Sequence, residues 1–177
     1  MQCSDAELVK AACGGDIDSF RKLCERHYRM AVGIARSRLS DEHLAEDAAQ
    51  EAFATACRQL CSLRDANRFP EWLGTICRRT ASRMVCSQTN DVPIEREPVS
   101  PADNDDGAVA QVHQALERLS TSAREVIHLH YFSGLSYDEI ARVLGISPQA
   151  VHGRMQRARR VLARWLSETE EGGVADE

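Results

Sequence analysis

The sequence has few aromatic residues and no long apolar run. Phe, Trp and Tyr make up 5% of its 177 residues, so its core must be built from Ala, Leu, Val and Ile. No apolar run approaches the roughly 20 residues that span a bilayer. The N-terminal MQCSDAELVK lacks the basic and then apolar order of a signal peptide. We therefore expect a soluble, cytoplasmic protein of one or two small domains, with no membrane insertion.

Motifs of the common enzyme classes are also missing. The sequence contains no Gly-rich phosphate loop, no HExxH pair and no nucleophile elbow. Its seven cysteines are odd in number and include no CxxC pair, which argues against a disulfide scaffold. Cys57 and Cys61 lie four residues apart and could share a helix face, so a redox or metal role stays open. Apart from that open cysteine role, the sequence predicts no enzyme, no cofactor and no metal site.

Lysine is scarce, and the charge is unevenly distributed. The net charge is −5, yet 20 of the 22 basic residues are Arg. Residues 111–166 carry 8 basic and 4 acidic groups and lie between the acidic segments 91–110 and 167–177. This distribution argues against a non-specific DNA coat but allows a local DNA-reading surface. Arg also suits bidentate contact with phosphate or guanine better than Lys does.

Strand signals are nearly absent, whereas helix starts are frequent. Three S-x-x-E motifs, Ser4–Glu7, Ser122–Glu125 and Ser136–Glu139, are typical capping boxes. Ser147 before Pro148 indicates another helix start. The apolar periodicity then predicts an all-α fold. The predicted helices span 4–13, 17–38, 41–61, 67–86, 109–119, 122–132, 136–144 and 147–166.

Composition divides the chain into two helical domains. Residues 87–108 hold three Pro and six acidic residues and little apolar matter, which is typical of a flexible linker. We expect an N-terminal domain over 1–86, a C-terminal domain over 109–166 and a disordered acidic tail over 167–177. Because such a linker cannot bury enough apolar area to order itself, we expect the two domains to fold independently and to be loosely tethered.

The pattern of residues 136–166 predicts a helix-turn-helix. A short helix turns its apolar residues inward, Gly145 permits a tight turn, and a second helix starts at Ser147 and Pro148. At 100° per residue the second helix has an apolar stripe formed by Val151, Met155, Ala158, Val161, Leu162 and Trp165. Its polar face, with Arg159 at the edge, holds Gln149, His152, Gly153, Gln156, Arg157 and Arg160. The alternative is a solvated, Arg-rich helix of a bundle.

Two features of the N-terminal domain have both a functional and a plain interpretation. Asp47, Gln50 and Glu51 project together from helix 41–61, either as a binding face or as a merely solvated acidic face. In helix 67–86, Phe69 and Trp72 precede Arg78, Arg79 and Arg83. Aromatics with Arg are used to hold single-stranded nucleic acid. The alternative places Trp72 in the core and the Arg residues on the surface.

In this order, the motifs resemble those of bacterial extracytoplasmic-function (ECF, group IV) RNA polymerase sigma factors of the sigma-70 family. Residues 18–86 are similar to sigma region 2, through AEDAAQEAF and WLGTICRR, and residues 112–166 to sigma region 4, through LSYDEIARVLGIS and the RAR that follows. The resemblance implies a region 2 helical bundle and a region 4 helix-turn-helix. It also implies a factor that binds core RNA polymerase, recognises the −35 and −10 promoter elements and promotes DNA melting.

The resemblance also implies roles by matching position. Asp47, Gln50 and Glu51 would contact the clamp of the largest polymerase subunit, and Arg78, Arg79 and Arg83 would hold the −10 single strand. The −35 element would meet Tyr137, Asp138, His152, Gly153, Gln156, Arg157 and Arg159. Helix 122–132 and the reader helix would meet the polymerase flap, and an anti-sigma factor is a further expected partner.

Some positions depart from the family pattern, and one alternative function stays open. Arg79 stands where the family often has Asn, and His152 and Gly153 stand where it often has Lys or Arg and then Ser. The promoter sequence therefore cannot be inferred from relatives. The alternative is a stand-alone helix-turn-helix transcriptional regulator with a helical sensor domain, which would footprint promoter DNA without polymerase.

Overall fold

The computed structural model describes residues 3–90 and 106–172, and over these residues it contains helices and no strand. This confirms the predicted all-α fold. None of the helices in these two ranges is long and apolar enough to cross a membrane. The helices are α1 (Asp5–Cys13), α2 (Ile17–Arg36), α3 (Glu42–Gln59), α4 (Phe69–Asn90), α5 (Asp106–Glu117), α6 (Thr121–Ile127), α7 (Tyr137–Leu144) and α8 (Pro148–Gly172).

Two predicted boundaries differ from the observed ones. The helices α4 and α5 extend into the predicted linker 87–108 from both sides, and residues 91–105 lie outside the described residues. The predicted disordered tail begins at 167, but α8 continues to Gly172 because residues 167–171 are compatible with a helix. The hydroxyl of Ser167 donates to the Ala163 carbonyl at 2.9 Å inside this extension. Residues 173–177 lie outside the described residues.

Two of the three predicted capping boxes are confirmed. Ser4–Glu7 and Ser136–Glu139 each show both reciprocal hydrogen bonds. The box at Ser122 is wrong, because α6 begins two residues earlier and Ser120 accepts from the Ala123 N–H instead. Glu125, the predicted partner of Ser122, therefore does not cap the helix. It lies buried, with only 5% of its surface exposed.

The N-terminal half, α1–α4, is a bundle with α3 packed between α2 and α4. The buried side of α3 consists mostly of alanine and is formed by Ala45, Ala48, Ala49, Ala52, Phe53 and Ala56. Small side chains there allow neighbouring helix backbones to approach closely. Asp5 of α1 contacts two residues of α2. Its carboxylate accepts a hydrogen bond from Arg26 at 2.5 Å and lies 2.9 Å from His27 Nε2.

The C-terminal half, α5–α8, packs directly on the N-terminal half. The helix α7 lies against α4, and a single π-helical turn, His128–Phe132, lies against α2. Buried residues of both halves form one continuous apolar cluster, which includes Ile34 and Leu73 on one side and Leu129 and Val143 on the other. The expectation of loosely tethered domains is therefore wrong for this structure, because each half buries apolar side chains against the other.

His128 is a buried histidine close to the contact between the halves. It is 5% exposed, and its Nδ1 has no hydrogen-bond partner among the described residues. Burial, reinforced by Arg36, Arg124 and His113, lowers the pKa of His128 to about 4. The neutral imidazole is thus the form that the folded chain holds at neutral pH.

We expect His128 to make the fold sensitive to mild acid. An unfolded histidine has a pKa near 6.5, so the unfolded chain binds a proton at His128 below about pH 6.5. The folded chain binds that proton only below about pH 4. The free energy of unfolding should therefore fall by up to about 1.4 kcal/mol per pH unit as pH falls through this window. Urea unfolding at pH 7, 6 and 5 should show a weaker decline for His128→Gln. The exposed His43 provides the control, since His43→Gln should follow the wild type; equal slopes for all three proteins would contradict the assignment.

Candidate nucleic-acid interface

The helix-turn-helix is built from local capping and one left-handed residue. The Ser136–Glu139 box starts α7, and Gly145 ends it at φ 65°, a conformation that glycine adopts without strain. The N–H of Ile146 then donates to the Ala141 carbonyl at 3.0 Å. These bonds direct the chain into α8, which starts at Pro148. The predicted motif is therefore present.

The second helix presents a polar face to solvent. Val151, Met155 and Ala158 are buried beneath it, whereas His152, Gln156 and Arg157 are exposed. We call the solvent-facing side of α8, with these three exposed residues and Gly153, the reader face. Val161, which the periodicity placed in the apolar stripe, is 42% exposed, because the neighbouring helices do not cover that part of α8.

The first helix of the motif contributes Tyr137 and Asp138 beside the reader face. Tyr137 is half-buried, and its ring lies 6.0 Å from that of His152. His152 Nε2 in turn lies 2.9 Å from Gln156 Nε2, so these two side chains form one polar group. Asp138 is exposed in the first turn of α7. The structure thus brings six of the seven predicted upstream-element residues, all except Arg159, to one surface.

Arg159 is held away from the reader face. Its guanidinium donates to the Tyr131 hydroxyl at 2.9 Å and lies 6.0 Å from the centre of that ring. Arg157, by contrast, forms no hydrogen bond or ion pair that we observe with the other described residues. A one-dimensional periodicity placed both arginines near the same face. The neighbouring π turn, which carries Tyr131, separates them.

An apolar groove lies beside Tyr131, and the sequence did not indicate it. It has a volume of about 430 Å³ and runs between α5, the π turn and α8. Phe132 and Leu166 are exposed large apolar residues at its edge. The adjacent Tyr131 and Phe132 at a predicted helix end were the available signal. We call this feature the C-terminal groove; its apolar lining includes Val112, Leu116, Ile127, Phe132, Leu162 and Leu166.

The predicted acidic face of α3 is exposed. Asp47, Gln50 and Glu51 all face solvent on one side of the helix. Glu51 accepts from Arg58 at 3.1 Å and from the Thr55 hydroxyl at 3.2 Å. The exposed ion pair adds little to stability, because solvent screens it. The face is therefore available to a partner.

A basic cleft lies next to this acidic face. It has a volume of about 760 Å³ and brings together Arg78, Arg79 and Arg83 from α4 and Arg58 from α3. Arg58 was not among the predicted residues, because its place in the cleft depends on how α3 packs beside α4. Glu51 lines the same cleft, so the two predicted binding surfaces of the N-terminal half adjoin each other.

The aromatic residues before this cleft belong mainly to the core. Phe69 is fully buried, and its ring lies 6.0 Å from that of the partly buried Trp72. The core interpretation of Trp72 is thus favoured, and Phe69 cannot stack on a base in this structure. The cleft therefore offers cations rather than aromatic platforms to a nucleic-acid strand.

The cysteines do not form a metal site within the described ranges, where no cluster of three or more His, Cys, Asp or Glu could hold an ion. Partial desolvation and a hydrogen bond with the neighbouring Cys61 raise the pKa of the Cys13 thiol to about 11, although Cys13 is exposed. Burial, with a smaller effect of Cys57, also raises the pKa of Cys24 to about 11. A protonated thiol is a poor nucleophile, which disfavours fast oxidation of these two residues.

Gly153 is not required by packing within the protein. A Cβ placed there would meet no heavy atom within 4 Å. We expect Gly153→Ala to stabilise the isolated chain by up to about 1 kcal/mol, because alanine has the higher helix propensity. The same change should weaken promoter binding if the backbone approaches DNA there. Thermal unfolding and promoter titration of one variant test both effects, and unchanged DNA affinity would contradict the close approach.

Known protein families match both halves of the chain. Residues 23–90 match the family model for Sigma-70 region 2, and residues 110–162 match that for Sigma-70, region 4. The chain is similar to the RNA polymerase sigma factor NccH of Alcaligenes xylosoxydans xylosoxydans, with 31% identity over 94% of this chain and 96% of the relative. It is also similar to the ECF RNA polymerase sigma factor SigM of Mycobacterium tuberculosis, with 34% identity over 92% and 85%.

Two solved structures are similar over both halves. One is that of CnrH in complex with the cytosolic domain of CnrY, with a TM-score of 0.69, 30% identity, and coverage of 93% of this chain and 97% of that chain. The other is the sigma factor RpoE in complex with the anti-sigma factor NepR from Bartonella quintana, with a TM-score of 0.64, 27% identity, and coverage of 85% and 98%.

Proposed function

Since the chain belongs to the ECF group of the sigma-70 family, we propose that its acidic face, basic cleft and reader face divide the work of promoter-specific initiation. The chain is a sigma factor, a DNA-binding regulator that acts with core RNA polymerase at promoters and is not the catalyst. One observation carries the assignment: the two family matches fall on the two halves that present these surfaces. If the chain were a stand-alone regulator, the acidic face would have no proposed binding partner.

The acidic face of α3 binds the clamp of the largest polymerase subunit in this proposal. Asp47, Gln50 and Glu51 supply two carboxylates and an amide on an exposed helix surface. A basic partner surface would pair with them, and such complementary charges steer association and fix register. The C-terminal groove offers apolar area to a second polymerase element, the flap.

The reader face and the basic cleft bind the two promoter elements. His152, Gln156 and Arg157 can reach base edges and phosphates of the duplex −35 element from the major groove. Arg78, Arg79 and Arg83, with Arg58 added by the structure, neutralise the −10 single strand. Extruding a base costs a few kcal/mol, which contacts to the single strand offset without ATP. Each contact alone is weak, and attachment to polymerase makes the two act together.

An anti-sigma protein is the proposed regulatory partner. The similar RpoE structure contains the anti-sigma factor NepR, and the similar CnrH structure contains CnrY. A partner of this kind would occupy surfaces that polymerase also needs. Because its target polymerase works in the bacterial cytoplasm, we place the chain there as well.

Run-off transcription tests the proposal. The purified chain is added to bacterial core polymerase on fragments of its own genome, and transcript starts are mapped. We expect transcripts that neither core polymerase nor the chain produces alone, with shared upstream and downstream elements. A chain that footprints promoter DNA without polymerase and yields no transcript would instead be a stand-alone regulator.

A further inference from the structure

The side-chain amide of Gln156 is held by its neighbour on the reader face. Its Nε2 lies 2.9 Å from Nε2 of His152, one helical turn earlier in α8. An amide nitrogen can only donate, so the His152 nitrogen accepts, and the imidazole is neutral with its proton on Nδ1. One of the two N–H groups of Gln156 is therefore occupied. Its other N–H and its carbonyl oxygen form no hydrogen bond that we observe with the described residues.

The imidazole of His152 is itself supported by other rings. It lies 6.0 Å from the ring of Tyr137, at an interplanar angle of 61°. Tyr137 in turn packs edge-on against His130, whose ring centre is 5.1 Å away. His130 Nδ1 lies 2.9 Å from the backbone carbonyl of Leu135, which precedes α7. A row of rings thus connects the reader face to the backbone beside the π turn, and it limits how far the His152 ring can turn.

Adenine is the base whose major-groove edge matches the free groups of Gln156. It presents an acceptor, N7, beside a donor, the N6 amino group, and the free N–H and carbonyl oxygen can meet both. Guanine presents two acceptors, N7 and O6, which would need both N–H groups of the amide. His152 occupies one of these groups. Thymine and cytosine each offer only one hydrogen-bonding group, so one side of the amide would stay unpaired.

We propose that Gln156 selects adenine at one position of the upstream element, and that His152 is the positioning residue that restricts it to this base. This inference rests on the proposed function, in which the reader face enters the major groove at the −35 element. A side chain that is already held in its binding geometry loses less freedom on binding and discriminates better. Because Gln156 is uncharged, its loss should alter the preferred base more than the total affinity.

In vitro selection measures the preferred bases directly. The full chain with core polymerase selects from a promoter, taken from the run-off mapping, whose upstream element is randomised. The wild type should prefer adenine to guanine at one position by roughly five- to 150-fold, the range expected of one bidentate contact. Gln156→Ala should lose that preference at that position alone. Gln156→Glu should change the preferred base to cytosine, because a carboxylate accepts from the N4 amino group.

His152→Ala separates positioning from reading. It frees the second N–H of Gln156, so guanine should become acceptable at the adenine position. Gln149, an exposed amide on the same side of α8, provides the matched control. Gln149→Ala removes an identical side chain and should leave the adenine preference at the Gln156 position unchanged. All three side chains are exposed, so the melting temperatures should match that of the wild type.

Three results would contradict the inference. If Gln156→Ala kept the wild-type preference at every position, or if the position it affects preferred a base other than adenine, Gln156 would not be the adenine reader. If the adenine preference survived His152→Ala undiminished, His152 would not position the amide. A wild type that gives no promoter-specific transcript with core polymerase would instead contradict the proposed function itself, and with it this inference, so the two failures can be told apart.

Discussion

Asp47→Arg combined with Glu51→Arg should abolish binding to core RNA polymerase while leaving the chain folded. The two carboxylates are exposed on one face of α3, so their replacement disturbs no packing. Loss of the exposed Glu51–Arg58 ion pair costs no more than about 1 kcal/mol. The proposed clamp surface is basic, however, so the two new arginines replace attraction with repulsion. The free energy of binding to polymerase should become less favourable by several kcal/mol. Circular dichroism, melting temperature and polymerase pull-down measure these effects.

A matched control separates this contact from a general effect of charge. Asp18→Arg with Glu25→Arg on α2 changes the net charge by the same amount. These two carboxylates are also exposed and also pair with an arginine, Arg21. The control should bind polymerase as the wild type does. If the Asp47 and Glu51 double variant also bound normally and supported transcription, the acidic face would be merely solvated, and the proposed attachment would be wrong.

The helices could be predicted because their signals are local. Apolar periodicity, capping boxes and the glycine after α7 all act within a few residues, and two of the three predicted boxes are present. Glu125 shows where local reasoning fails. Its spacing from Ser122 suggested a cap, yet its partners, Arg38 and Arg78, lie 87 and 47 residues away along the chain. No periodicity within α6 encodes that pairing.

The residues of the candidate site could be predicted where they depend on one helix and could not where they depend on contacts between helices. The exposure of Asp47, Gln50 and Glu51 followed from the amphipathic pattern of a single helix. The hydrogen bond from Arg159 to Tyr131 could not be inferred in this way, because it depends on a π turn packed beside α8. The C-terminal groove likewise needs three elements to come together. Faces of single helices can be inferred from sequence, whereas surfaces shared between elements require the tertiary structure.

Arg157→Ala should weaken promoter binding by the polymerase complex by roughly 1–3 kcal/mol, more than any other single change on the reader face. Arg157 is exposed on α8, and its guanidinium is not engaged by the described residues. It can therefore meet guanine or phosphate without first breaking an internal contact. Because an exposed arginine contributes little to folding, the melting temperature should stay unchanged.

Arg159→Ala is the matched control, since it removes the same charge two residues along the same helix. Arg159 is held 2.9 Å from the Tyr131 hydroxyl, so we expect its loss to weaken promoter binding less than the loss of Arg157. Titrations over a range of salt then identify the Arg157 contact. A contact to phosphate lowers the salt slope by about 1, whereas a contact to a base changes the preferred −35 sequence. Arg157 is the most accessible cation of the reader face. If Arg157→Ala changed none of the promoter affinity, the salt slope and the preferred −35 sequence, α8 would not be the helix that reads the promoter.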